Sequence, residues 1–164
     1  MSSSDRRSFL LTLAALPLAG CGFSPAYAPG APAAELQGRV RIDDPADKNG
    51  FDLVERLEER LGRTREPRFV LSYQIVTKAV GVAISPENAI TRYHLTGAVS
   101  FALNDAETGG TVTKGVVESF TAYSATGTTV AGLAAERDAG ERLMRILADQ
   151  IVTRLIATAG NPAR

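Results

Sequence analysis

Tryptophan is absent from this sequence, and cysteine and histidine occur once each. Zinc sites draw on several nitrogen or sulfur ligands, so one histidine and one cysteine argue against a protein-ligated metal, and no cofactor motif takes its place. A lone cysteine also leaves no disulfide within the domain. Aromatic residues are only 6% of the chain, too few for a platform that stacks bases or sugars. Neither sign of charge is in surplus: 18 basic side chains balance 18 acidic ones. Nucleic-acid binding calls for a basic excess on one face, so it is not expected. What is present is an ordinary apolar content in 164 residues, one domain's worth of chain.

The single cysteine sits in "LPLAGCGFSPAY", residues 16–27. It could be a nucleophile, half of an intermolecular disulfide, a core residue, or a modified group. Its surroundings separate these readings. Arg6 and Arg7 form a positive start, and an apolar run follows from Phe9 to Leu18. That run is shorter than the roughly 20 residues a spanning helix needs. It has no polar face to turn to water, as a surface helix would. Small residues Ala19 and Gly20 then precede Cys21, the layout of a secretory signal peptide. "LAGC", Leu18 to Cys21, resembles the bacterial lipobox, in which the cysteine thiol is alkylated with diacylglycerol and cleavage falls just before it. The resemblance implies that residues 1–20 are a signal peptide and that Cys21 is the lipid attachment point. Two or more acyl chains, at about 0.8 kcal/mol per buried methylene, give a stable anchor. Gly22 stands where lipoproteins retained at the inner membrane typically carry Asp, which points to the outer membrane. "DRRSFL" also looks like a twin-arginine export signal, and an ordinary Sec signal fits equally well.

Residues 21–35 carry three prolines without periodicity and read as a lipidated, extended tether. A domain is expected over 36–160. "LQGRVRI", residues 36–42, alternates as a half-buried strand with Leu36, Val40 and Ile42 on one side. Residues 51–63 have helical spacing, with Phe51, Val54, Leu57 and Leu61 on one face and charges mostly on the other. Residues 68–84 return to strand alternation. "SPEN", residues 85–88, is a turn, and 89–105 resume the alternation. A second turn, "DAETGG", leads to a strand over 111–123, whose apolar phase shifts at Val116 and Val117 and so suggests a bulge. The segment 128–159 is a long helix. Its stripe is Ala139, Leu143, Leu147, Ile151 and Leu155, widened by Ile146 and Val152.

The order is β-α-β-β-β-α. Strands joined by short hairpins are antiparallel. Two helices with one apolar face each cover one side of a four-stranded sheet, giving an α+β two-layer sandwich with a mostly antiparallel sheet. The other sheet face is expected to be polar, carrying Arg39, Arg41, Gln74, Lys78, Arg92, His94 and Thr96.

No catalytic constellation stands out. His94 is alone on a strand face, no serine lies in a G-x-S-x-G elbow, and Asp43, Asp44 and Asp47 lack calcium-loop spacing. Neither a phosphate-binding loop nor a dinucleotide fingerprint appears. The expectation is a protein that is not an enzyme.

The lipobox followed by "CGFSPAY", the β-α-β-β-β-α order and the terminal "ERDAGERLMRILADQIVTRL" together resemble the LptE (RlpB) family of lipopolysaccharide-assembly lipoproteins. The resemblance implies a lipid-anchored protein on the periplasmic face of the outer membrane. Its partner would be the LptD-type β-barrel, which it plugs and helps to assemble, and the barrel and plug would insert lipopolysaccharide into the outer leaflet. Lipid contacts in that family are attributed to basic side chains near one end of the domain, and Arg92 and Arg137 are the candidates here by charge and placement. An auxiliary lipoprotein of an ABC-type lipid transport system is the alternative.

Overall fold

The computed structural model describes residues 31–159. Cys21, its lipobox and most of the expected tether lie outside them. The elements are helix α1 (Pro32–Leu36), strand β1 (Val40–Ile42), helix α2 (Lys48–Leu61), strands β2 (Phe69–Ile84), β3 (Ile90–Asp105) and β4 (Thr111–Ser124), and helix α3 (Thr129–Ala159). The sheet order is β1-β2-β3-β4. β1 runs parallel to β2, and the other two pairs are antiparallel. Both long helices lie on one face, so the α+β sandwich expected from the sequence is the fold observed.

Local chemistry sets the element ends. Asp47 caps α2 by accepting from the Gly50 N–H at 2.7 Å, which starts the helix one turn earlier than its apolar periodicity suggests. Gly62, at φ +78°, closes it and donates to the Glu58 carbonyl at 2.8 Å. The β2–β3 turn holds Asn88 at φ +62°, a left-handed conformation that asparagine tolerates. In the β3–β4 turn Asp105 accepts from the backbone of Glu107 and Thr108, and Gly109 supplies a φ of +70°.

Three local readings need correction. The first strand is three residues long, not seven. Residues 32–36 form α1, and Leu36 is buried there instead of on a strand. Pro32 at the first helical position is pre-set for the turn, and buried Ala33 and Leu36 pack α1 toward the C-terminal end of α3. Strand β4 has no bulge at Val116 and Val117, which pair in unbroken register with Ser100 and Val99. Consecutive valines simply point to opposite faces, Val117 into the core and Val116 outward. The irregularities fall instead near Gly81–Ile84 and at Leu103–Asn104. In α3, Ile146 is exposed, and Met144 and Ala148 complete the buried stripe in its place.

The core lies between the helices and the inner sheet face. Leu53, Leu57 and Leu61 of α2 and Leu143, Leu147, Ile151 and Leu155 of α3 close over Leu71, Val99, Phe101, Leu103 and Val117. Each such side chain contributes about 1.5–3 kcal/mol when fully buried. Arg56 of α2 forks onto Asp149 of α3 at 3.1 and 3.0 Å and also holds Glu59. Those carboxylates raise the guanidinium pKa further above its usual value.

The core does not run the length of the sheet. From Val76 through Val82 every residue of β2 is exposed, and α3 buries nothing before Ala139. The distal half of the β2–β3 hairpin and the first turns of α3 therefore extend beyond it, at the end opposite α1. At ~1.5 Å per residue, the 31 residues of α3 span ~46 Å. Among the described residues no helix is long and apolar enough to cross a membrane.

Candidate interaction surface

Side chains alternate across a strand, so the inner-face residues of β2 and β3 fix what points outward. Ser72, Gln74, Val76, Lys78 and Val80 of β2 lie beside Ala102, Ser100, Ala98, Thr96 and His94 of β3, and Lys114, Val116, Glu118, Phe120 and Ala122 follow on β4. Among the described residues no helix covers this face.

The face was expected to be polar, and it is mixed. Val76 is 63% exposed and Phe120 is 62% exposed, and Val80 and Val116 are also open. These aliphatics and Phe120 share the outward phase of the strands with Lys78, His94 and Thr96, whose polarity dominates the pattern. The broken apolar phase of β4 was the available signal, since it sets Val116 and Phe120 outward. Arg39 belongs to the turn before β1, while Arg41 is exposed on that strand.

Two shallow depressions mark the face. One, of about 450 Å³, is walled by Val76, Lys78, Thr96, Ala98, Glu118 and Phe120. The other, of about 640 Å³, includes Gln74, Ser100, Lys114 and Val116. Each mixes hydroxyl or amide groups, an aliphatic patch and one or two charges. Such a surface can bind. His94 lies against the Phe120 ring at 5.5 Å between centroids, which spends it on packing. Among the described residues no three His, Cys, Asp or Glu side chains are grouped to hold a metal ion.

A larger hollow of about 740 Å³ lies between α2 and α3, with Glu55, Glu58, Glu59, Glu141 and Asp149 on its walls. Apart from Glu55, its carboxylates are already matched. Arg63 pairs with Glu58, Arg145 with Glu141, Arg56 with Glu59 and Asp149, and Lys48 with Asp52. We read it as a laced helix surface.

The two arginines singled out from the sequence are not brought together. Arg92 projects from the outer face of β3, where it pairs with Ser124 of β4. Arg137 lies in the third turn of α3, on the other side of the sheet. Both are exposed, and neither forms an ion pair among the described residues. They share only the end of the molecule that carries the distal hairpin. Close by, Tyr93 and Tyr123 stack at 5.2 Å on the inner face, and burial with the Glu136 charge pushes the Tyr123 hydroxyl pKa up.

Residues 38–155 match the family model described as "LptE: Lipopolysaccharide-assembly". No curated protein matches the chain. Among solved structures, one described as a lipoprotein of Caulobacter crescentus CB15 superposes with a TM-score of 0.68 at 20% identity, covering 79% of this chain and 96% of that one. The rare lipoprotein B of Shewanella oneidensis gives 0.59 at 16% identity, covering 75% and 96%. A minor lipoprotein of Acinetobacter baumannii gives 0.59 at 17% identity, covering 77% and 96%. At these identities the structural likenesses speak to the fold.

Proposed function

Because this chain belongs to the LptE lipopolysaccharide-assembly family, we propose that it is a lipid-anchored protein of the outer membrane, facing the periplasm. There it plugs and helps to assemble an LptD-type β-barrel, and the pair inserts lipopolysaccharide into the outer leaflet. The observation that carries this reading is the family match across residues 38–155, nearly the whole folded domain. The role is binding and assembly, not catalysis.

Two features support it. Porin-type lumens are polar, and a plug with hydroxyls, lysines and scattered aliphatics on its open face suits such a wall better than a continuous apolar patch. The anchor site also suits it. Cys21 lies ten residues before Ala31 in sequence, so an acylated cysteine would tether the α1 end of the domain to the membrane and leave the distal hairpin free to reach the partner. Arg92 and Arg137, exposed and unpaired among the described residues, are the proposed contacts for the anionic phosphates of lipopolysaccharide.

Depletion tests the proposal. Surface lipopolysaccharide should fall and a large outer-membrane barrel should misassemble. Re-expression of the wild type should restore both. Re-expression of Arg92→Ala with Arg137→Ala should restore the barrel and leave lipopolysaccharide binding weakened. An intact barrel after depletion, with inner-membrane transporter subunits co-purifying instead, would transfer the protein to an ABC-type lipid transport system.

A further inference from the structure

Strand β2 is sixteen residues long, and its partner β1 covers only Phe69 to Leu71. The loop after β1 packs beside Tyr73, where Pro45, Asp47 and the Tyr73 hydroxyl surround Gly50. Beyond that loop no strand of the described residues pairs with this edge. Its hydrogen-bonding groups can be assigned. The Phe69 N–H donates to the Arg39 carbonyl and the Leu71 carbonyl accepts from Asp43, each at 3.0 Å. Odd-numbered residues of β2 therefore point their backbone toward β1, and the alternation holds while the β2–β3 register is unbroken, through Gly81. Ile75, Thr77, Ala79 and Gly81 thus present four N–H and C=O pairs on an open edge.

Proteins usually blunt such an edge with proline, several charges, a bulge or a cover. Here no proline occurs between Phe69 and Ile84, and the bulge begins only after Gly81. The single charge between Ile75 and Gly81 is Lys78, at the midpoint of the four open residues. Two copies of this chain using all four residues in antiparallel register would pair Ile75 with Gly81 and Thr77 with Ala79. Lys78 would then face its own copy across the ladder, where like charges destabilise the pairing. The same position favours a strand with a carboxylate opposite.

We propose that the edge of β2 from Ile75 to Gly81 is a strand-addition site for an extended segment of another protein that carries an acidic side chain across from Lys78. Backbone bonding supplies affinity and the lysine supplies register and partner choice, the division of labour common to strand-addition complexes. The inference goes beyond the proposed lipid-assembly role and does not depend on it. A failed depletion experiment would leave it standing.

The test uses the full wild-type chain and synthetic peptides of alternating Thr and Val. One has a central Glu, one a central Lys, and one is the Glu peptide with its backbone N–H groups methylated on both edges. Amide exchange read by NMR should slow at Ile75, Thr77, Ala79 and Gly81 with the Glu peptide. The Lys peptide should bind about tenfold more weakly, and the methylated one should give no protection. Lys78→Glu should invert the preference between the Glu and Lys peptides. Protection confined to β4, equal binding of the methylated peptide, or no protection by the Glu peptide would each overturn the proposal. So would concentration-dependent dimerisation of the wild type that protects these same four amides.

Discussion

Tyr73 has the one buried side-chain polar atom that lacks a hydrogen-bond partner among the described residues. Its hydroxyl faces Gly50 and the Asp43–Asp47 loop, and burial first, then the charges of Asp47, Asp43 and Asp44, raise its pKa above the usual 10.0. The fold therefore favours the protonated phenol. Stability is full below the unfolded value near 10 and declines as pH rises from there toward the folded value, since the unfolded chain ionises first. Tyr73→Phe removes a hydroxyl with no protein partner. The expected result is a change between zero and about 1 kcal/mol of stabilisation at neutral pH, with a smaller loss between pH 10 and 11 than the wild type shows. Urea titrations at neutral pH, at pH 10 and at pH 11 measure both. A loss of more than about 1 kcal/mol at neutral pH would mean that the hydroxyl holds a partner.

At the scale of elements, Gly97 decides how closely α3 approaches the sheet. A β-carbon there would come within 3.0 Å of Leu143 and 3.1 Å of Leu147, both fully buried. Gly97→Val should destabilise by about 1–3 kcal/mol through overpacking, read as a lower midpoint in thermal unfolding, and an unchanged midpoint would show that α3 can lift at no cost. The long strands and helices were legible because each carries its period over many residues, 2 in β2 and β3 and 3.6 in α3, between turns marked by Pro86, Asn88 and Gly109. Where the reading failed, tertiary contacts outweighed local pattern. Leu36 fits a strand by alternation, yet packing at the end of α3 holds it in a helix. Ile146 fits the apolar stripe, yet it lies just outside the arc that meets the sheet. Arg92 and Arg137 are candidates by charge and placement along the chain, and nothing local says that a sheet separates them. The exposed Val76 and Phe120 were hidden for a related reason, since alternation gives the face of a residue but not whether that face is covered.

For the whole molecule, the two ends differ in construction. One end is the paired hairpin with the exposed start of α3. The other holds α1 and β1. If Cys21 carries lipid, radiolabelled fatty acid enters the wild type and not Cys21→Ala, and the variant leaves the membrane fraction; equal labelling of both would end the anchor reading. An anchored domain also has a loading direction. A pull on such a lipid would reach the described residues at Ala31 and meet α1 first, five residues resting on the end of α3, and next the three-residue parallel pairing of β1 with Phe69 to Leu71. Behind these come α2, the long antiparallel ladders and the α3 core. Local segments open at lower free energy than long paired ones, so under such a pull α1 and β1, held by four buried side chains (Ala33, Leu36, Val40 and Ile42), would release before the β2–β3–β4 block. On an anchored domain that release would add slack of about 3.3 Å per residue between membrane and fold, making the α1–β1 segment a shock absorber in series with a stiff body.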